Sequence, residues 1–96
     1  MALTGKQRRT LRALGHHLTP VVQVGHKGVT DELLAAVEQA LKDHELVKVR
    51  VGTEAPEGRK ETADALAAGT KSELAQVLGR TLLLFKKRKE KSKIVI

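Results

Sequence analysis

Residues 21–32 constrain the fold more than any other stretch of this 96-residue chain. The stretch begins with a valine-rich strand at 21–24, continues through a four-residue loop with glycine at both ends, and then begins a helix. Thr30 is a favourable N-cap, and the two acidic residues that follow it lie where the helix dipole stabilises negative charge. The loop is therefore predicted to be held between two rigid elements.

The residue types in this loop suit contact with a phosphate group. Gly25 and Gly28 allow a ligand to approach the backbone closely, and amides near a helix N-terminus attract anions. His26 and Lys27 lie between the glycines, and Lys27 supplies a cation. The same spacing of glycines also occurs in ordinary tight turns, and the acidic residues at the helix start oppose anion binding. The rest of the chain has to decide between these interpretations.

Composition limits the class of protein. The chain is 41% apolar, has one phenylalanine and lacks tryptophan, tyrosine and cysteine, so its core must be aliphatic. The lack of cysteine excludes disulfides and thiolate metal sites and fits a reducing compartment. We see no signal-peptide pattern and no apolar run long enough to span a membrane. We therefore expect one small cytoplasmic domain over residues 1–96, with a basic tail from about residue 86.

The net charge of +7 is unevenly distributed. Residues 1–28 carry five basic side chains and no acidic one, whereas residues 29–47 carry five acids and one lysine. Residues 48–96 carry twelve basic and six acidic side chains. This polarity predicts one face that binds a polyanion.

The first helix is predicted over residues 4–17, beginning with a capping box formed by Thr4 and Gln7. A helical spacing of i, i+3, i+7 marks the residues expected to face the core. They are Leu11, Leu14 and Leu18. The residues on roughly the opposite face, with two flanking basic residues, are Arg9, Arg12, His16, Lys6 and Arg8. A helical surface with so many basic groups and no acid differs from a merely solvated one, which usually mixes charges.

The central part of the chain alternates between a helix and a strand. A second helix is expected over 31–44, with His44 packed or stabilised by the helix dipole rather than acting as a ligand. Residues 46–51 alternate as in a half-buried strand. Lys48 and Arg50 share one face of it with Leu46, where they meet either a ligand or water.

The C-terminal half predicts another helix and a hairpin. A third helix is expected over 59–68, ending at Gly69 as C′ residue, followed by strands at 73–78 and 81–85 joined by the turn Gly79-Arg80. A charged run from 86 should begin as strand and end as a mobile tail, and residues 94–96 are a possible short strand. The predicted order is αβαβαββ, an α/β (α+β sandwich) fold with a mixed four-stranded sheet packed with helices. Strands separated by helices should pair in parallel, and the hairpin should pair antiparallel.

The sequence offers little for an enzyme. No metal-ligand spacing, nucleophile elbow or P-loop is present. His16 and His17 point about 100° apart on a helix and cannot readily share one metal. We therefore expect no catalytic residues, no metal site, no cofactor and no small-molecule substrate.

Four sequence stretches, taken together and in order, resemble one known family. They are LTGKQR at 3–8, PVVQVGHKGVT at 20–30, HELVKV at 44–49 and QVLGRTLLLF at 76–85. In these stretches the chain resembles the YhbY-like proteins, the free-standing bacterial form of the CRM (chloroplast RNA splicing and ribosome maturation) domain. The resemblance runs from about residue 3 to residue 87. It implies a fold similar to the C-terminal domain of translation initiation factor three.

The resemblance also implies a function and a site. The resemblance implies RNA binding through a GxxG loop and the adjacent basic surface. It also implies association with ribosomal RNA in precursors of the large ribosomal subunit. The loop positions matching the family are Gly25, His26, Lys27 and Gly28; Lys6, Arg9 and Arg12 match in character. The complete predicted RNA site adds His16, Lys48 and Arg50.

Two further predictions concern the mode of binding and the alternative functions. Because exposed aromatics are lacking, we expect recognition of folded RNA through its backbone and shape rather than by stacking, and we expect a monomer. The alternative is a general nucleic-acid or membrane-surface adaptor without a ribosomal role. Against the membrane adaptor, the first helix has few leucines and lacks an aromatic anchor.

Overall fold

The computed structural model describes residues 3–88 together with Ser92 and Ile94. Its elements are α1 (Gly5–Gly15), β1 (Val22–Val24), α2 (Asp31–His44), β2 (Leu46–Val51), α3 (Arg59–Thr70), β3 (Glu73–Leu78) and β4 (Thr81–Phe85). The predicted order αβαβαββ and the mixed α and β class are confirmed.

The four strands form one mixed sheet in the order β1-β2-β4-β3. β1 pairs parallel with β2, and β4 pairs antiparallel with β2 and with β3, so the mixed four-stranded sheet is confirmed. The predicted parallel pairing of β2 with β3 is wrong, because β4 lies between these two strands. The reason is that Leu82, Leu83 and Leu84 are buried on alternate faces of β4, and a strand buried on both faces needs a central position. β3, by contrast, ends in exposed residues, which suit the edge of the sheet.

The helices cover both faces of the sheet. On one face, α2 and α3 enclose the larger core cluster; its buried members include Val24, Val37, Leu41, Val47, Val49, Val51, Leu66, Leu82 and Leu84. On the other face, α1 packs over a smaller cluster; its buried members are Leu11, Leu46, Ala75, Leu83 and Phe85. The alternation predicted for β2 is therefore correct, since its valines and Leu46 contact opposite clusters.

Local capping signals predicted the helix starts well. The Thr30 hydroxyl accepts a hydrogen bond from the Leu33 amide at 3.1 Å, and α2 has the predicted bounds. At α1, the Gln7 amide donates to the Thr4 hydroxyl at 3.1 Å and the Thr4 amide donates to the Gln7 side chain at 2.9 Å. These short-range contacts complete the predicted capping box.

The predicted buried stripe of α1 is wrong in part. Leu11 is buried, but Leu14 and Leu18 are 46% and 37% exposed, and α1 ends at Gly15, before Leu18. Gly15 is buried in their place. A Cβ at Gly15 would stand 2.7 Å from both Cδ atoms of Leu83, so the helix backbone itself lies on the sheet. The buried face of α1 is therefore formed by Leu11 and Gly15.

The predicted end of the third helix and the setting of His44 also need correction. α3 continues to Thr70, and Lys71 makes the left-handed reversal with φ of 56°. Gly69 instead lies inside α3 against α2, because a Cβ there would come within 2.6 Å of Leu34 Cδ2. His44 is exposed in the last turn of α2, so the packed setting is wrong, whereas its position is the one that the helix-dipole alternative requires.

Beyond β4 the chain returns to the end of α2. The strand ends at Phe85, so the predicted continuation of strand into the charged run is wrong. The Lys86 amide donates to the Glu45 carbonyl at 2.8 Å, and the Glu45 carboxylate accepts from the Arg88 amide at 3.1 Å. Ile94 is half-buried beside the Leu11 cluster and is not in a strand. The other residues of the predicted tail and short strand, 89–91, 93, 95 and 96, lie outside the described residues.

Candidate nucleic-acid interface

The GxxG loop, residues Gly25 to Gly28, is a tight turn after β1. The Gly28 amide donates to the Gly25 carbonyl at 3.0 Å. Gly28 is buried with φ of +68°, and a Cβ on it would stand 3.0 Å from Pro56 Cγ, so the turn needs glycine there. Gly25 has open space around its Cα. His26 and Lys27 are exposed at the tip, and the loop lines a surface depression with the start of α2.

The GxxG loop is tied to the other loops at the same end of the sheet. The Gly52 amide donates to the carbonyl of Val24, the residue before the loop, at 2.8 Å. The Gly52 carbonyl accepts from Arg80 Nη2 at 3.3 Å, and Arg59 Nη1 donates to the Gly79 carbonyl at 2.9 Å. These bonds bring two further basic residues, Arg59 and Arg80, to this end of the sheet.

Sequence reasoning missed Arg59 and Arg80 as candidate site residues. The Gly79-Arg80 pair predicted a hairpin turn, and Gly79 does have a positive φ of 57°. The turn lies near the GxxG loop because β2 and β4 are neighbours, and that pairing is not visible in the local sequence. A basic residue in the hairpin turn was the only local signal.

A second depression, the basic depression, lies between α1 and the sheet. It is lined by Arg12, Ala13, Gly15, His16, Lys48, Gln76 and Leu78. The close approach of Gly15 to Leu83 places the C-terminal end of α1 over this part of the sheet. Because none of the described residues that line the basic depression is acidic, its electrostatic potential favours an anion.

The sheet face beside the basic depression carries a polar row. Arg50 pairs with Gln23 of β1 and with Thr81 of β4, and Thr81 also pairs with Leu78 of β3. Arg50 lies on the same face of β2 as Lys48, by the alternation of side chains along a strand. This row connects the strand that leads into the GxxG loop with the hairpin. Gln23 and Thr81 were not predicted as site residues, although the pattern Val-Gln-Val already marked Gln23 as the exposed member of β1.

The structure brings some of the predicted residues together and leaves others apart. The four loop residues share one depression, and Arg12, His16 and Lys48 share the other. Arg50 lies next to the second depression on the same strand face. Lys6 and Arg9 are exposed, and at 100° per residue they project from the outer side of α1. They do not line either depression.

Within residues 3–88, Ser92 and Ile94, three or more histidine, cysteine, aspartate or glutamate side chains do not converge as a metal site would require. In that part of the chain, no helix has both the length and the apolar character to cross a membrane.

The fold and the site define a class: a mixed sheet with helices on both faces, a GxxG turn after its first strand, and a basic helix across it. The chain belongs to the CRS1/YhbY (CRM) domain family, whose sequence profile matches residues 3–86.

Individual relatives cover nearly the whole chain. It is 45% identical over 92 residues to the Bacillus subtilis protein named probable RNA-binding protein YqeI, covering 96% of each chain. It is 39% identical over 88 residues to a Haemophilus influenzae protein named RNA-binding protein, covering 92% of this chain and 89% of that one. Among solved structures, the Staphylococcus aureus protein SAV1595, described as a hypothetical protein and candidate RNA-binding protein, superposes with a TM-score of 0.84 at 36% identity. That match covers 98% of each chain.

Proposed function

We propose that this protein binds RNA through the GxxG loop, the basic depression and the exposed basic residues of α1. Membership of the CRM family and the relatives that are named as RNA-binding proteins support RNA as the ligand. The observation that carries the proposal is the basic depression, where Arg12, His16 and Lys48 converge and where the described lining residues include no acid. A polyanion is the ligand that such a surface favours.

The proposed mode of binding uses the sugar–phosphate backbone first. Lysine and arginine neutralise phosphates and release their counterions, which gives affinity with little dependence on sequence. The exposed Lys27 and the nearby glycine backbone would hold the sugar–phosphate backbone of the RNA at the loop, as GXXG loops do in KH domains. The sequence has no tryptophan or tyrosine and its one phenylalanine, Phe85, is buried, so stacking of bases on these three side-chain types does not contribute.

At a finer level, we propose ribosomal RNA in precursors of the large ribosomal subunit as the partner and ribosome assembly as the process. This assignment rests on the family resemblance of the GxxG segment and the three accompanying sequence stretches. The protein would act there as a cytoplasmic monomer without catalytic activity. Its role would be to occupy a folded segment of the precursor.

Two experiments test these levels separately. If the protein binds RNA, nucleic acid that co-purifies with it at low salt is removed by RNase and survives DNase; the reverse result contradicts RNA binding. Crosslinking in cells, followed by sequencing of the attached RNA, tests the ribosomal partner. Enrichment of large-subunit precursor RNA is expected, and enrichment of unrelated transcripts alone would contradict the ribosomal role.

One observation favours a second candidate function, attachment to an anionic membrane surface. Leu14, Leu18 and Val21 are exposed beside the basic residues of α1 and line a shared surface depression. An apolar patch next to cations is a feature of interfacial helices, although aromatic anchors are lacking here. Flotation with anionic and neutral vesicles in the presence of RNase distinguishes the functions. Selective flotation with anionic vesicles supports the membrane role, and its absence supports RNA as the ligand.

A further inference from the structure

We propose that Gln23, Arg50 and Thr81 form a base-recognition row that contacts unpaired nucleotide bases next to the GxxG loop. This inference rests on the proposed RNA-binding function and deepens it. The GxxG loop and the basic depression would hold phosphates, whereas the row would give the protein a preference among bases. Contacts to phosphates position a nucleic acid, and contacts to base edges specify its sequence.

The three residues are aligned across neighbouring strands. Gln23 of β1 is in register with Arg50 of β2, which is in register with Thr81 of β4. Adjacent strands are about 4.8 Å apart, so the row spans roughly 10 Å. Their side chains alternate with Val24, Val51 and Leu82, which are buried in the cluster on the opposite face.

Helix α1 leaves this row open. It packs over the preceding row, where Leu83 lies in register between Lys48 and Gln76 and contacts Gly15. In the base-recognition row, by contrast, Gln23 and Arg50 are exposed and Thr81 is half-buried. The row continues to Leu78, which is 64% exposed and offers an apolar surface for the face of a base.

The chemistry of the row suits base edges better than phosphates. A glutamine amide has both donors and an acceptor, so it can form two hydrogen bonds with adenine, whereas phosphate oxygens can only accept. Arginine can bond in the same bidentate way to guanine, and a threonine hydroxyl can donate or accept. Among the described residues, the side-chain amide group of Gln23 has no hydrogen-bonding partner, so it is available to a ligand.

The position of the row determines the kind of RNA that fits. Gln23 lies two residues before Gly25, about 7 Å along the strand, so a nucleotide next to one held by the loop would lie over the row. In a paired A-form helix the base edges are largely inaccessible, and proteins recognise sequence in single-stranded loops and bulges. We therefore expect the ligand to be an unpaired segment within a folded RNA.

The test uses a pool of RNA hairpins with a fully randomised loop, sequenced before and after binding. The wild-type protein should enrich particular bases at one or more loop positions. In Gln23→Ala and in the strand-compatible Gln23→Thr, the preference at one position should fall about fivefold or more, because the preferred members lose affinity, while the salt dependence of binding keeps its wild-type slope. Lys27→Gln should weaken binding to all members alike and keep the preference.

Two controls make the result interpretable. Gln39→Ala changes an exposed glutamine on α2, on the opposite side of the sheet, and should retain wild-type preference. Thermal unfolding confirms that the Gln23 variants fold, as expected for an exposed position. Wild-type binding without base preference, or an unchanged preference in both Gln23 variants, would overturn the base-recognition row and leave RNA binding intact. Failure of the wild-type protein to bind any hairpin in the pool would overturn both proposals.

Discussion

Gly15 of α1 lies directly on Leu83 of β4, at a distance that leaves no room for a side chain. A Cβ at Gly15 would be 2.7 Å from Leu83 Cδ1 and Cδ2. The contact sets the position of α1 on the sheet and places Arg12 and His16 beside Lys48. One small residue in the core-facing line of a helix therefore supports the proposed RNA site.

The first prediction concerns this contact. Gly15→Val should lower the free energy of unfolding by about 1–3 kcal/mol, because the added atoms overpack the interface with Leu83. Ala13→Val, on the exposed part of the same helix, should cost only the difference in helix propensity, well below about 1 kcal/mol. Urea unfolding measures both. Equal stability of the two variants would contradict the packing role of Gly15.

The second prediction separates the two glycines of the GxxG loop. Gly28→Ala should destabilise the fold by about 1–2 kcal/mol, because Gly28 has a positive φ and Pro56 lies against it. Gly25→Ala should leave stability unchanged, since the space around it is open, but should weaken RNA binding if the ligand approaches the backbone there. Thermal unfolding and RNA titration check the pair. Wild-type RNA affinity in a stable Gly25→Ala variant would contradict a close approach of the RNA to the backbone at this glycine.

The third prediction concerns Glu45, a buried carboxylate that fastens the C-terminal segment. Its Oε2 atom accepts from the Arg88 amide at 3.1 Å and from the Ser92 hydroxyl at 2.6 Å. The Arg88 guanidinium also donates to the carbonyls of Lys42 and Asp43 at the end of α2. Glu45→Ala should cost about 2–3 kcal/mol of stability and speed tryptic cleavage after Lys87 and Arg88.

A second variant separates the Glu45 side chain from its backbone. Glu45 has φ of 63°, a conformation that favours glycine, so Glu45→Gly relieves strain while removing the same carboxylate. Faster cleavage in both variants identifies the carboxylate as the fastening group. Slow, wild-type cleavage in Glu45→Gly would contradict that role. Glu57→Ala, in an exposed loop, is the control.

The sequence predicted those parts of the fold that depend on short-range signals. The bounds of α2 and β2 follow from the Thr30 cap and from strict alternation, and both agree with the structure. The misassigned face of α1 and the end of α3 have another cause. Gly15 and Gly69 serve close packing against Leu83 and Leu34, and such partners are distant in sequence.

The candidate site was predictable to the same extent. The GxxG loop is a local motif, and its turn and exposed tip match expectation. The neighbourhood of Arg12 and Lys48, and the row from Gln23 to Thr81, depend on the strand order β1-β2-β4-β3 and on how α1 crosses it. Local patterns predict which face a side chain occupies, but they do not predict which other strands bring their side chains to that face.

The central claim is that the GxxG loop and the basic depression bind the same RNA molecule. The salt dependence of binding tests this claim most directly. The logarithm of the binding constant for a structured ribosomal RNA fragment is measured against the logarithm of salt concentration. The proteins are the wild type, Lys27→Gln, Arg12→Gln, the double variant, and the control Lys42→Gln on α2. Each single site variant should reduce the slope by about 0.7–0.9, the double variant by about twice as much, and the control should match the wild type. A wild-type slope in either Lys27→Gln or Arg12→Gln would contradict a shared site.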